Sequence, residues 1–234
     1  MASQPSQRIH SPSRGVSLLV HVCLPPSRLG TCANALSSLL KNPNEISKGY
    51  GWHFQFLTII ALSLATITFV LGLVADLFLW RNAFIAKNWL AVGSAPLETL
   101  ISILYWGISA IDRDLVVPPD MRLDPFVDMG FHLFPALLLL IDILLLSPPW
   151  AFTFLPAMLI PSGIATGYWI WLEHCFSVNR NYPYPLFDVI GPKERVAVFV
   201  GSAVMMMVCA LGIGWGYEKV NGVDMVKQVE RKRA

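Results

Sequence analysis

Residues 126–150, FVDMGFHLFPALLLLIDILLLSPPW, constrain this chain more than any other stretch. Their middle is almost wholly apolar and long enough to cross a bilayer, which takes about 20 residues of helix. One ionisable ring, His132, sits inside the run, and Asp128 precedes it by one helical turn on the same face. A titratable group at membrane depth is costly, so it faces a bundle interior or a wet cavity and needs a partner. The rest of the chain is read as the helices that enclose this histidine.

Composition agrees. Of 234 residues, 55% are hydrophobic and 14% charged, and the mean hydropathy is +0.56. Several apolar runs of bilayer length predict an all-α, polytopic transmembrane bundle. The formal net charge of +2, with basic residues scattered, gives no footprint for nucleic acid. Cys23, Cys32, Cys175 and Cys209 form no CxxC pair and suggest neither a zinc site nor a disulfide framework. No cofactor or metal is expected, and membrane lipids are the natural partners.

The chain divides into a polar cytosolic tail (1–14), a transmembrane domain (15–216) and a basic cytosolic tail (217–234). About six spans are expected, near 15–40, 54–80, 89–111, 126–146, 151–172 and 196–216. The first is the poorest, because Pro25, Pro26 and Arg28 interrupt it. Basic residues before its apolar run also fit a signal peptide. No short-side-chain cleavage site follows directly, so a membrane helix is the preferred reading. Residues 81–88 are read as a short basic loop and 112–125 as an acidic one. Residues 173–195 are read as an interfacial segment, either covering a cavity mouth or lying on the headgroups. A slight excess of Lys and Arg on the side of the tails favours both termini in the cytosol.

Polar and small residues recur at helical spacing within the spans. Thr58, Ala61, Ala65, Thr68 and Gly72 form one face of the second span, as close-packing membrane helices require. Glu98, Ser102, Tyr105, Ser109 and Asp112 form a stripe on the third, with Glu98 expected in a structural hydrogen-bond network. Ser162, Thr166, Trp169 and Glu173 are read as the inward face of the fifth, kinked at Pro156 and Pro161.

Thr58 and His132 lie near the N-terminal ends of helices separated by two crossings, so they open to one side. They sit roughly 6 Å and 9 Å below their expected helix starts. A hydroxyl and an imidazole at one depth are the minimum for nucleophilic acyl transfer, with histidine as base. Asp128 could hold the ring tautomer, and Tyr105 is a further candidate for support. Each residue also has a bland reading. Thr58 could bond its own preceding turn, His132 could bridge two helices and Asp128 could cap one. A third arrangement would ligate a haem with His53, His132 and His174.

Four motifs carry a resemblance. Trp52-His53-Phe54-Gln55-Phe56-Leu57-Thr58, Gly130-Phe131-His132, Ser147-Pro148-Pro149-Trp150 and Asn179-Arg180-Asn181-Tyr182-Pro183-Tyr184-Pro185 together resemble the androgen-induced membrane protein family in its fungal branch. The similarity covers about 50–216. Animal members hydrolyse fatty acid esters of hydroxy fatty acids with one threonine and one histidine, and the matching positions here are Thr58 and His132. Met129 stands where animal members often carry an additional histidine, and Ile59-Ile60 follows the threonine in place of polar residues. The resemblance implies an intramembrane lipid ester hydrolase with a fatty acyl ester substrate. The alternative is a non-catalytic lipid-binding or signalling membrane protein, and the third reading is the haem protein. Arg231-Lys232-Arg233-Ala234 loosely resembles a dibasic retrieval signal, which points to the endoplasmic reticulum or another endomembrane.

Overall fold

The computed structural model describes residues 12–23, 46–117, 122–147 and 154–221. Its helices are α1 (Val16–Cys23), α2 (Leu57–Phe78), α3 (Arg81–Ile111), α4 (Pro125–His132), α5 (Phe134–Ile141), α6 (Phe154–Asn179), α7 (Leu186–Val189) and α8 (Pro192–Asn221). A π turn, Asp142–Leu146, continues α5, and short 3-10 turns occupy Ile46–Lys48, Trp52–Gln55 and Arg113–Leu115. No strand occurs among the described residues. The fold is an all-α membrane bundle: α2, α3 and α8 are each long and apolar enough to cross a bilayer, and α4 with α5 and its π turn passes as a bent pair.

Contacts between helix ends set the topology. Ser17 and His21 of α1 touch Asp76 near the end of α2, whereas Gln55 and Ile46 lie beside each other at its start. Cys23 and Ile46 therefore lie at opposite ends of the bundle. α2 and α3 then run down and back. α4–α5 returns from Asp128 to Ser147, beside Lys87 at the start of α3. α6 brings Asn179 to Tyr50, and α8 carries Tyr217 to Ser147. The described helices α2, α3, α4–α5, α6 and α8 thus make five traverses, and the described start and end of the chain lie at the Asp76 end.

The small face of α2 is what lets α3 approach. Ala61, Ala65, Thr68, Gly72 and Ala75 are all buried, and small side chains allow membrane helices to pack backbone to backbone. Ala65 and Phe69 meet Ala91 and Ala95 of α3, Leu139 of α5, Ile143 of the π turn, and Ile213 and Tyr217 of α8 in one core cluster. Outward positions such as Ile67, Val70, Val200, Val204 and Val208 are exposed and apolar, as a lipid-facing surface requires. The hydroxyls of Ser63, Thr68, Thr99 and Ser162 each donate to the carbonyl four residues earlier at 2.8 Å, so none is left unsatisfied in hydrocarbon.

The break between α4 and α5 follows from Pro135. Its ring clashes with the carbonyl of Phe131, and it has no N–H to continue the ladder. Leu133 leaves helical geometry (φ −134°, ψ −53°) and the pair bends by 46°. His132 is the last residue before the bend.

Several expectations are corrected. Residues 81–88 are not a loop: α3 begins at Arg81, and Lys87 lies fully buried on its first turns. On α6, Ser162 and Thr166 face outward, while Pro161, Tyr168, Leu172 and Cys175 are buried. Ser162 bonds its own helix and needs no interior partner. α6 extends past residue 172 to Asn179, and α8 extends past both ends of 196–216. Most of the first expected span and of both tails lies outside the described residues.

Candidate functional site

α4 is built to present one face inward. Asp124 caps it by accepting from Phe126 N–H at 2.9 Å, and Pro125 takes the first helical position, where its missing donor costs nothing. Asp128 is then buried, and His132, one turn on, has a side chain only 11% exposed. His132 Nδ1 lies 2.9 Å from Asp128 Oδ1 and 3.1 Å from the Asp128 carbonyl. Both are acceptors, so Nδ1 carries the proton and Nε2 holds the lone pair. Arg113, in the turn after α3, donates to Asp128 Oδ2 at 2.8 Å. The Tyr105 hydroxyl also hydrogen-bonds Asp128. Its ring stacks flat on His132, with centroids 3.5 Å apart and planes within 3°.

Thr58 is the second residue of α2, buried at 8% exposure. The approach to this helix end is pinned from α6 and the loop after it. Trp171 Nε1 donates to Phe54 O and Tyr168 Oη to Gln55 O, both at 2.8 Å. Asn179 accepts from Tyr50 N–H and donates to Tyr50 O, again at 2.8 Å. Gly51 (φ 86°) makes the turn possible, since a Cβ there would meet Cys175 Sγ at 2.8 Å. The Tyr184 hydroxyl, from the 180–191 loop, accepts Leu57 N–H at 3.0 Å, beside the Thr58 side chain. This segment thus seals the site, and Leu186 and Phe187 of α7 join the same wall.

Thr58, Tyr105, Tyr168 and Tyr184 line one cavity of about 900 Å³, counting its open part. The rest of its wall is almost entirely aliphatic or aromatic, from Leu97 and Ile101 of α3 to Phe199 and Met206 of α8. His132 stands behind Tyr105. Thr58 and His132 make no hydrogen bond to each other. Their neighbours do meet: Ile59 and Leu62 pack against Phe131, at the same end of the bundle. Asp128, Tyr105 and His132 therefore form one cluster, and Thr58 shares a cavity with Tyr105. Arg113 and Tyr184 were not singled out as candidates from sequence. For Tyr184 the proline-flanked Tyr-Pro-Tyr-Pro motif was the available signal.

The three histidines weighed as haem ligands have different neighbours. His132 lies on Tyr105, His174 is exposed against Tyr50, and His53 is buried beside Trp52. Among the described residues no group of three or more His, Cys, Asp or Glu side chains is arranged to hold a metal ion. Glu98 is buried, but its Oε1 finds no partner among them, so the expected network does not form around that oxygen.

A second polar cluster occupies the opposite end, about 27 Å of helix along α2 from Thr58. His21 bridges two carboxylates, with Nδ1 2.7 Å from Asp76 and Nε2 3.0 Å from Asp142. Asp76 also accepts from Ser17 Oγ and Ser13 N–H. Lys87 pairs with Asp142 at 2.5 Å and donates to Ser147 at 2.9 Å. With both carboxylates ionised, each ring nitrogen must donate, so the four groups balance to zero charge. Gly72 makes room: a Cβ there would come within 2.7 Å of His21 Nε2.

The FAR-17a/AIG1-like protein family matches residues 18–217. A UPF0641 membrane protein of Schizosaccharomyces pombe is 34% identical over 166 residues, 70% of this chain and 74% of its own length. A UPF0641 membrane protein of Saccharomyces cerevisiae is 29% identical over 213 residues, 82% of this chain and 87% of its own. Human androgen-induced gene 1 protein is 25% identical over 177 residues, 68% and 73% of the two chains. No solved structure matches.

Proposed function

The chain belongs to the FAR-17a/AIG1-like family, and from that premise we propose that it hydrolyses fatty acyl esters of membrane lipids with Thr58 as nucleophile and His132 as base. The observation that carries this reading is the line Arg113–Asp128–His132 beside an apolar cavity with a threonine hydroxyl on its wall. Asp128 fixes the Nδ1–H tautomer, so Nε2 is the nitrogen able to take a proton. Thr58 Oγ1 attacks the ester carbonyl, His132 receives its proton and returns it to the leaving alcohol, and water releases the acid from the acyl-threonine. Catalytic hydrogen bonds are often open before substrate binds, which accommodates the absence of a direct Thr58–His132 bond. The apolar lining of the cavity suits an acyl chain. Residence in the endoplasmic reticulum is part of the proposal, and a tagged protein at native expression found at the cell surface or vacuole sinks that part.

The test is ester hydrolysis and fluorophosphonate labelling by the full chain in detergent, normalised to folded protein. Thr58→Val, which keeps the shape and loses the nucleophile, should be inactive, and Thr58→Ser should retain some activity. His132→Ala should lose as much as Thr58→Val, and the double variant little more, because groups acting as one unit are not additive. A second reading is a non-catalytic lipid-binding protein. It is favoured by the lack of direct contact between the two side chains. It predicts lipid retention with no labelling, unchanged in Thr58→Val.

A further inference from the structure

We propose that Tyr184 is a catalytic residue whose hydroxyl holds the ester carbonyl oxygen while Thr58 attacks. This rests on the hydrolase reading above and supplies the oxyanion donor which that chemistry needs. The 180–191 loop delivers the ring to the start of α2, where it packs edge-on against Phe56 (centroids 5.6 Å, planes 89° apart) and against Phe187. The phenol oxygen accepts Leu57 N–H at 3.0 Å and lies within hydrogen-bond reach of the Thr58 side chain. Leu57 N–H is one of the first amides of the helix, which have no partner within it. An amide donating into a phenol oxygen polarises the O–H and makes it a better donor in turn.

The other two phenols on the wall are engaged elsewhere. Tyr168 gives its proton to Gln55 O at 2.8 Å. Tyr105 is engaged with Asp128. Tyr184 takes its main-chain contact as an acceptor, which leaves its own proton for a ligand beside Thr58. Burial pushes this phenol above its ordinary value, so it stays protonated at neutral pH.

In the step, the bond from Thr58 Oγ1 to the carbonyl carbon forms and the carbonyl π pair moves onto oxygen. The threonine proton goes to His132 Nε2. The Tyr184 O–H keeps its proton and donates a hydrogen bond to the new oxyanion. On collapse the carbon–alkoxy bond breaks, the His132 proton leaves with the alcohol, and Thr58 is left acylated. The competing role is structural, with the phenol serving only to satisfy the first amide of α2.

Tyr184→Phe separates the two, using the full chain in detergent with a p-nitrophenyl long-chain acyl ester. The catalytic role predicts a kcat lower by about 10²–10³-fold with KM nearly unchanged, and slower fluorophosphonate labelling, because the phosphoryl oxygen needs the same donor. A wild-type kcat in Tyr184→Phe beside an inactive Thr58→Val overturns the Tyr184 assignment and leaves the hydrolase reading standing, whatever happens to Tm. No hydrolysis and no labelling by the wild-type protein overturns both. Site-specific difluorotyrosine at position 184 keeps the fold and makes the phenol more acidic. The alkaline limb of the kcat profile should move to lower pH, and an unmoved limb counts against the proposal even where Tyr184→Phe fails to fold.

Discussion

Asp128 joins three features of the site, because one buried carboxylate meets His132, Arg113 and Tyr105. An amide in its place could still accept from His132 but could also turn its NH₂ toward the ring and stabilise the wrong tautomer. Asp128→Asn should therefore lower kcat by roughly 10³–10⁴-fold, the scale of the equivalent change in a serine triad, while the melting temperature moves little. A kcat within threefold of wild type would show that the carboxylate only caps and packs. Arg113 has a side chain 40% exposed, so solvent screens its pair, and Arg113→Gln should cost no more than about tenfold. The relation of Asp128 to His132 is legible in the sequence because it depends only on a spacing of four within one helix. Arg113 was not, since its role depends on where the turn after α3 lands. Tyr184 was not, since a loop tyrosine acquires a role only when the loop folds back onto α2.

At the element scale, the same distinction explains what the helices revealed. The small face of α2 is periodic and local, so Thr58, Ala61, Ala65, Thr68 and Gly72 announced the side that packs. Lys87 gave no such signal. A lysine in a short basic run reads as a loop residue, and it becomes a buried helical one only because Asp142 and Ser147 arrive from the far end of α5. Burying one such charge alone is strongly unfavourable, whereas removing the pair is not. Lys87→Met should lower stability in detergent by about 3–5 kcal/mol, and adding Asp142→Leu should recover part of that loss. Because Asp142 also holds His21, recovery is expected to be incomplete unless His21 is replaced as well. Losses that simply add, with the double variant as costly as the two single variants together, would mean that the pair contributes nothing as a pair. The bend between α4 and α5 offers a complementary test. Pro135→Ala restores a backbone donor to the ladder and removes the clash that turns the helix after His132. Activity should fall by at least tenfold as the ring rotates off Tyr105, with stability unchanged or higher, because the variant repairs a helix.

The whole molecule has two polar ends separated by an apolar middle. One end holds Thr58, Asp128 and His132. The other holds His21, Asp76, Lys87 and Asp142, and it gathers the start of the described chain and the end of α8. The described start and end of the chain lie on one side, and the slight excess of basic residues on that side favours the cytosol for it. With that orientation the described ends of the 112–125 loop and the candidate site would face the lumen, and an ester of the kind proposed would reach Thr58 from the lumenal leaflet without crossing the bundle. An N-linked glycosylation acceptor placed within 112–125 should be modified in cells, and one placed after Asn221 should not, as read by a mobility shift reversed by endoglycosidase. The result bears on the internal geometry as well. α3 and the α4–α5 pair flank the 112–125 loop, and the contacts Arg113–Asp128 and Tyr105–His132 fix their relative direction. Those contacts leave the loop and the site on one side whichever orientation the membrane selects. Modification of the tail alone would therefore invert the assignment of lumen and cytosol while keeping the site beside the loop. Modification of both acceptors would require an even number of crossings between the loop and the tail. The traverses of α4–α5, α6 and α8 already number three and place the two on opposite sides, so that outcome would break the topology itself.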